Sequence, residues 1–159
     1  MIKCTFHLNG GQLSTLNCPG IGFFPAYSGN QGINRNNPDS VTLLKKGPLP
    51  PGQYYIVSRQ RGGLRTRVND FWKSMESESD RNLWFALYRV DDRIDDLTFI
   101  DNVNRGSFRL HPAGRNGNSD GCITLVSLSH YMILWRALIT SPKLLVSAEL
   151  EAFGTIQVY

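Results

Sequence analysis

Most of the 15 glycines and 8 prolines in this 159-residue chain fall within residues 1–63. Glycine supplies turn conformations that other residues avoid, and proline withholds a backbone donor. Punctuation this dense favours short strands joined by turns. Residues 3–8 and 12–17 alternate weakly around Asn9-Gly10-Gly11, a strong hairpin signal. Residues 21–27 read as a further strand, in which Pro25 implies a sheet edge or a bulge. The Gly/Asn-rich stretch from Ser28 to Asp39 reads as a long loop.

Downstream, Leu49-Pro50-Pro51-Gly52-Gln53 predicts a turn that leads into a strand over Tyr54–Ser58. A short helix is expected within residues 64–76, with Val68, Phe71, Trp72 and Met75 on one face. Leu83–Val90, Ser107–Leu110, Cys122–Val126 and Thr155–Val158 read as strands. Leu128, Tyr131, Met132, Trp135, Leu138 and Ile139 recur at helical spacing, with Ser127 as N-cap and Pro142 as stop. The expectation is a single domain over residues 1–159, mostly β or α+β, with one main helix after Cys122.

The composition is that of a soluble globular chain, with 41% hydrophobic and 19% charged residues. A net charge of +4 suits an anionic polymer as partner, whether nucleic acid, acidic glycan or cell wall. Arg59, Arg61, Arg65 and Arg67 cluster, but no nucleic-acid motif accompanies them, so no nucleic-acid partner is expected. The longest apolar run, Tyr131–Ile139, is broken by Arg136 and is too short to span a bilayer. The N-terminal residues lack the apolar core of a secretory signal, so synthesis in a cytoplasm is expected. Cys4 and Cys18 flank the first turn at nearly matching offsets and should lie close together. Two reduced, buried thiols are expected there, with a bridge formed after export as the alternative.

Chemistry concentrates at His111 and Cys122, eleven positions apart, the latter on a Ser119-Asp120-Gly121-Cys122 turn. A cysteine becomes a neutral-pH nucleophile when a neighbour eases the loss of its proton, and histidine is the usual neighbour. Gly121 permits a tight turn whose N–H groups, with that of Cys122, form a candidate oxyanion site. Pro112 follows His111, so a backbone carbonyl is the expected partner for the second imidazole nitrogen. Arg109 shares a strand face with His111 and is a candidate for a substrate carboxylate, with a surface salt bridge as the alternative. No metal site or cofactor is expected: zinc needs three or four ligands, and His7 and His130 are remote in sequence. Asp91-Asp92 and Asp95-Asp96 lack calcium-loop spacing and read as a solvated acidic turn.

The pattern His111…Ser119-x-Gly121-Cys122-Ile123 resembles the catalytic signature of the YkuD-like L,D-transpeptidases, a β-rich family acting on peptidoglycan stems. Tyr27-Ser28-Gly29 and Leu49-Pro50-Pro51-Gly52-Gln53-Tyr54-Tyr55-Ile56 resemble that family's upstream segments, so the likeness covers residues 20–126. Asp120 stands where the family usually has His, and Thr124 where it has Arg or Asn. The lead-in Phe108-Arg109-Leu110-His111-Pro112 is similar to that of a compact branch, the type VI secretion effectors that poison cell walls. The resemblance implies a compact β-sandwich and a His111–Cys122 dyad. It also implies removal of the terminal D-alanine from tetrapeptide stems, or its exchange for another D-amino acid. Tyr27 and Ser28 would line the substrate site. A monomer delivered to the target periplasm, with a cognate immunity protein, is expected. Two other readings remain at this point: a papain-like endopeptidase or amidase, and a non-catalytic wall-binding module.

Overall fold

Asn9 and the two glycines after it reverse the chain between its first two strands, β1 (Ile2–Phe6) and β2 (Ser14–Cys18). The computed structural model describes residues 1–59, 83–114 and 119–159. The expected helix within 64–76 and the arginines at 61, 65 and 67 lie outside the described residues. Asn9 holds the turn through its side chain, accepting from Gly11 N–H and donating to the Leu13 carbonyl, both at 3.0 Å.

The remaining strands are β3 (Gly22–Ser28), β4 (Gly52–Ser58), β5 (Phe85–Arg89), β6 (Leu97–Ile100) and β7 (Val103–Gly106). They are followed by β8 (Arg109–Pro112), β9 (Ile123–Leu125), β10 (Leu144–Ser147) and β11 (Leu150–Val158). One α-helix is present among the described residues, α1 (Leu128–Thr140). The main sheet runs β1-β2-β3-β9-β8-β5-β4-β11, and β1 pairs in parallel with β11, which closes eight strands into a barrel. β10 adds to the other half of β11, while β6 and β7 form a separate hairpin. The mostly-β expectation with a helix after Cys122 therefore holds.

Alternation explains which residues fill the barrel. Phe6, Leu16, Ile56, Leu110, Ile123 and Leu125 are fully buried at every second strand position. Ser127 caps α1 by accepting the His130 N–H, as the sequence suggested, and the helix stops at Ser141, just before Pro142. Its Tyr131, Leu134, Trp135 and Leu138 pack into the same core. Each buried leucine or aromatic side chain contributes about 1.5–3 kcal/mol relative to exposure.

Three expectations need correction. Pro25 is neither at an edge nor in a bulge, because β3 lies between β2 and β9. It is tolerated because the β3–β9 register ends at Ala26–Leu125; beyond it the Pro25 carbonyl accepts the Val126 N–H, and no ladder bond needs the missing donor. The acidic turn is not simply solvated. Asp95 caps the start of β6 through Leu97 N–H, Asp91 accepts from Thr98 Oγ1, and Asp96 holds an arginine described below.

The third correction concerns Cys4 and Cys18, which form a disulfide instead of two free thiols. β1 and β2 pair Thr5 with Asn17 and Phe6 with Leu16, so one further step sets Cys4 opposite Cys18, their Cα atoms 4.3 Å apart. The bridge closes a loop with a sequence separation of 14. Replacing Cys18 with Ser is expected to lower unfolding free energy by about 3 kcal/mol, read as a shift in the urea midpoint under non-reducing conditions. Unfolded but unreduced protein should take up one equivalent of iodoacetamide, at Cys122; three equivalents would refute the bridge.

Candidate active site

β8 and β9 are adjacent and parallel, with Leu110 opposite Ile123, His111 opposite Thr124 and Pro112 opposite Leu125. Leu110 and Ile123 point into the core, so His111 and Thr124 share the opposite face. Two positions back along each strand, Arg109 and Cys122 take that same face. On the far side of β9, Tyr27 pairs with Thr124, and on the far side of β8 the register leads from Phe85–Leu110 to Trp84–His111. Tyr27, Thr124, His111 and Trp84 thus form one row across four strands, with Cys122 one diagonal step from His111. Ser28 falls on the other face: fully buried, its hydroxyl accepts the Leu49 N–H at 2.7 Å.

The imidazole of His111 is held on three sides. It stacks on Trp84 with ring centroids 4.2 Å apart and planes 18° from parallel. Its Nδ1 is 2.7 Å from the Pro112 carbonyl, which identifies Nδ1 as the protonated nitrogen and supplies the expected backbone acceptor. Nε2 is left as the basic atom and lies 3.3 Å from Thr124 Oγ1, which donates to it. Burial pushes the imidazole below its ordinary value, partly offset by the Pro112 hydrogen bond.

Cys122 is 8% exposed, and its thiol is pushed up to about 11, first by burial. The backbone N–H and guanidinium of Arg109 pull it down, while Asp120 and Asp96 push it up. No hydrogen bond joins Cys122 to His111 among the described residues. Two neutral groups therefore share one face of the β8–β9 pair.

The turn before Cys122 is fixed from both ends. Ser119 donates its hydroxyl to the Cys122 carbonyl at 2.7 Å, and its N–H donates to Asn30 Oδ1 at 3.3 Å. Gly121 has φ of +97°, and a Cβ there would sit 2.6 Å from Arg105 Nη2 and 2.8 Å from the Phe108 ring. Asp120 is exposed and close enough to bear on both Arg105 and Cys122.

Arg109 donates both guanidinium nitrogens to Asp96, at 2.6 and 2.7 Å, an arrangement that fixes its plane. Tyr27 is buried beneath Arg35, whose guanidinium carbon lies 3.9 Å from the ring centroid.

Several residues at the site carry no local signal in the sequence. Arg105 of β7 is 4% exposed and donates to the carbonyls of Val41, Gly47 and Pro48, tying that loop against Gly121. Tyr131 of α1 donates to the carbonyls of Leu83 and Leu110, the residues preceding Trp84 and His111. Their partners are remote in the chain; the one hint was the aromatic-rich, strand-like run over 83–90.

Comparison with known proteins places this arrangement in context. Residues 22–149 match the family model described as the Tlde1 domain. The match spans most of the chain, which belongs to the Tlde1 domain family. No curated protein matches the chain.

Two outcomes follow from the site. Gly121→Ala, which forces a Cβ into the left-handed region against Arg105, should cost about 1–3 kcal/mol of stability in urea denaturation. A thiol raised from 9.0 to about 11 holds about 100-fold less thiolate near neutral pH. Iodoacetamide should therefore label Cys122 slowly in native protein at neutrality, with a rate that climbs until pH reaches about 11. A rate already saturated at neutral pH would contradict this environment.

Proposed function

We propose that this Tlde1-domain chain is an antibacterial, peptidoglycan-modifying cysteine enzyme of a type VI secretion system, an L,D-carboxypeptidase, L,D-transpeptidase or both. The observation that carries this reading is the shared face of the parallel β8–β9 pair. It aligns a base at His111, a thiol at Cys122 and a left-handed glycine turn immediately before the thiol. The family match and the resemblance to YkuD-like enzymes support the same chemistry.

In this reading the substrate is the tetrapeptide stem, and the reacting bond joins meso-diaminopimelate to the terminal D-alanine. As the sulfur of Cys122 attacks the carbonyl carbon, its proton passes to Nε2 of His111. The Pro112 carbonyl stabilises the resulting imidazolium through Nδ1–H. The N–H groups of Gly121 and Cys122 receive the oxyanion, each worth about 3 kcal/mol in such sites. Collapse breaks the C–N bond, the leaving amine takes the proton from His111, and a thioester remains on Cys122. Water then releases the shortened stem, or a D-amino acid amine captures it and restores the thiol.

Arg109, already oriented by Asp96, sits beside Cys122 and offers its charge to a stem carboxylate. The Cys4–Cys18 bridge supports work in an oxidising compartment such as the target periplasm. A cognate immunity protein in the producing cell and action as a monomer belong to the same proposal.

The depth of the thiol and its rise to about 11 favour one second reading, a wall-binding module that keeps the fold without the reaction. The two separate in one assay. Purified protein incubated with tetrapeptide muropeptides should release D-alanine, or incorporate an added D-amino acid. Cys122→Ala and His111→Ala should each reduce this at least about 1000-fold with the fold retained. Because burial lowers the His111 value, the basic imidazole should persist below its ordinary pH range, and the acid limb of kcat/KM should lie there too. Wild-type binding without turnover, or full turnover by either variant, would reject the enzyme reading.

A further inference from the structure

Trp84 is the residue at this site with no assigned role, and its placement is over-determined. The antiparallel β5–β8 register puts it directly across from His111. Tyr131, fully buried in α1, fixes the backbone on both sides of the pair at once. Its hydroxyl donates to the Leu83 carbonyl at 2.6 Å and to the Leu110 carbonyl at 3.1 Å. The outcome is a near-parallel stack of indole on imidazole at 4.2 Å. Stacking leaves the ring edge, with both nitrogens, free for Pro112 and Thr124.

An indole face carries negative potential and attracts a cation placed over it. A neutral imidazole gains little from that potential, whereas an imidazolium gains much more. The stack therefore discriminates between the two protonation states of His111, over and above holding the ring in place. Resting on the reaction proposed above, this is the discrimination the chemistry requires, because during turnover the imidazolium forms as Cys122 gives up its proton.

We propose that Trp84 is a positioning residue for His111, whose indole face fixes the imidazole plane and favours the imidazolium formed as the thiol is deprotonated. Other charges bear on the pair from each neighbouring element. Arg59, at the end of β4, lies 5.9 Å from the Trp84 ring and opposes a second cation there. Arg109 of β8 is ion-paired with Asp96, Cys122 stands at the entry to β9, and Tyr27 of β3 lies under Arg35. None of these groups makes face-to-face contact with the imidazole; Trp84 does.

The test compares Trp84→Phe with Trp84→Leu, which cover the imidazole similarly but differ in having a π face. The His111 titration, followed by NMR of its ring protons, should move about 0.5–1 pH unit lower in Trp84→Leu than in Trp84→Phe. The sign follows because loss of the aromatic face disfavours the charged form. On tetrapeptide muropeptides, kcat should fall about 3- to 10-fold further in the Leu variant, with KM nearly unchanged. Wild-type tryptophan fluorescence should be quenched as His111 protonates, and His111→Gln should abolish that pH-dependent component. This last measurement needs no variant at position 84 and stands even if Trp84→Leu fails to fold. Identical His111 titrations in the Phe and Leu variants, or quenching that survives His111→Gln, would overturn the role of Trp84. Absence of turnover by the wild type would reject the proposed reaction, while the titration series would still decide whether the stack favours the imidazolium.

Discussion

The site depends on one uncommon constraint: β8 and β9 are parallel neighbours joined by only the ten residues 113–122. Parallel strands ordinarily need a crossover of about a dozen residues or more, usually containing a helix. Here the return is possible because the strands are short. Ten residues reach at most about 33–36 Å, and strands of three and four residues require a return of only about 10–13 Å. The chain must nevertheless enter β9 through an abrupt reversal. Gly121 at φ +97° makes that reversal, and Ser119 closes it with a hydrogen bond to the Cys122 carbonyl. Cys122 is thus placed at the start of a strand, beside the strand that carries His111.

Much of this was legible where the signal is local. The first hairpin, the helix with its Ser127 cap, and the pairing of a Ser-x-Gly-Cys turn with an upstream histidine each rest on residues within about a dozen positions. What stayed hidden is long-range. Pro25 read as an edge or a bulge because its neighbour β9 lies about a hundred residues away. The closure through β1 and β11 joins the two ends of the described chain, and no local pattern signals it. β6 and β7 were missed because acidic residues precede them and Leu97 and Phe99 face outward, which masks the alternation. Cys4 and Cys18 were placed close together correctly, but proximity in sequence offsets does not give the bridge geometry, which the cross-strand register supplies.

The residues that complete the site share that limitation. Arg105, Asp96, Trp84, Thr124 and Tyr131 act through partners that only the closed sheet supplies. Thr124 is instructive, since it read as a departure from the resembled family's Arg or Asn. In the structure its hydroxyl satisfies Nε2 of His111, so the substitution belongs to the histidine's environment. Arg105 likewise shows how the segment from Val41 to Pro48 is held where it meets the turn. One buried guanidinium collects three of its carbonyls and fills the space that a side chain at position 121 would need.

Electrostatics then constrains the protonation of the His111 and Cys122 pair. Burial raises the thiol and lowers the imidazole, so both shifts favour the neutral pair over the thiolate–imidazolium pair. A charge-separated resting state is disfavoured, so in the reaction proposed above the proton moves as the sulfur–carbon bond forms. In that proposal each feature that favours charge at this face acts chiefly on the reacting state: the Arg109 N–H and guanidinium on sulfur, the Pro112 carbonyl and the Trp84 face on the imidazolium. A thiol kept protonated in this way is also protected from indiscriminate oxidation. That protection matters in a chain whose other two cysteines are already joined, because a reactive third thiol would threaten their pairing by exchange.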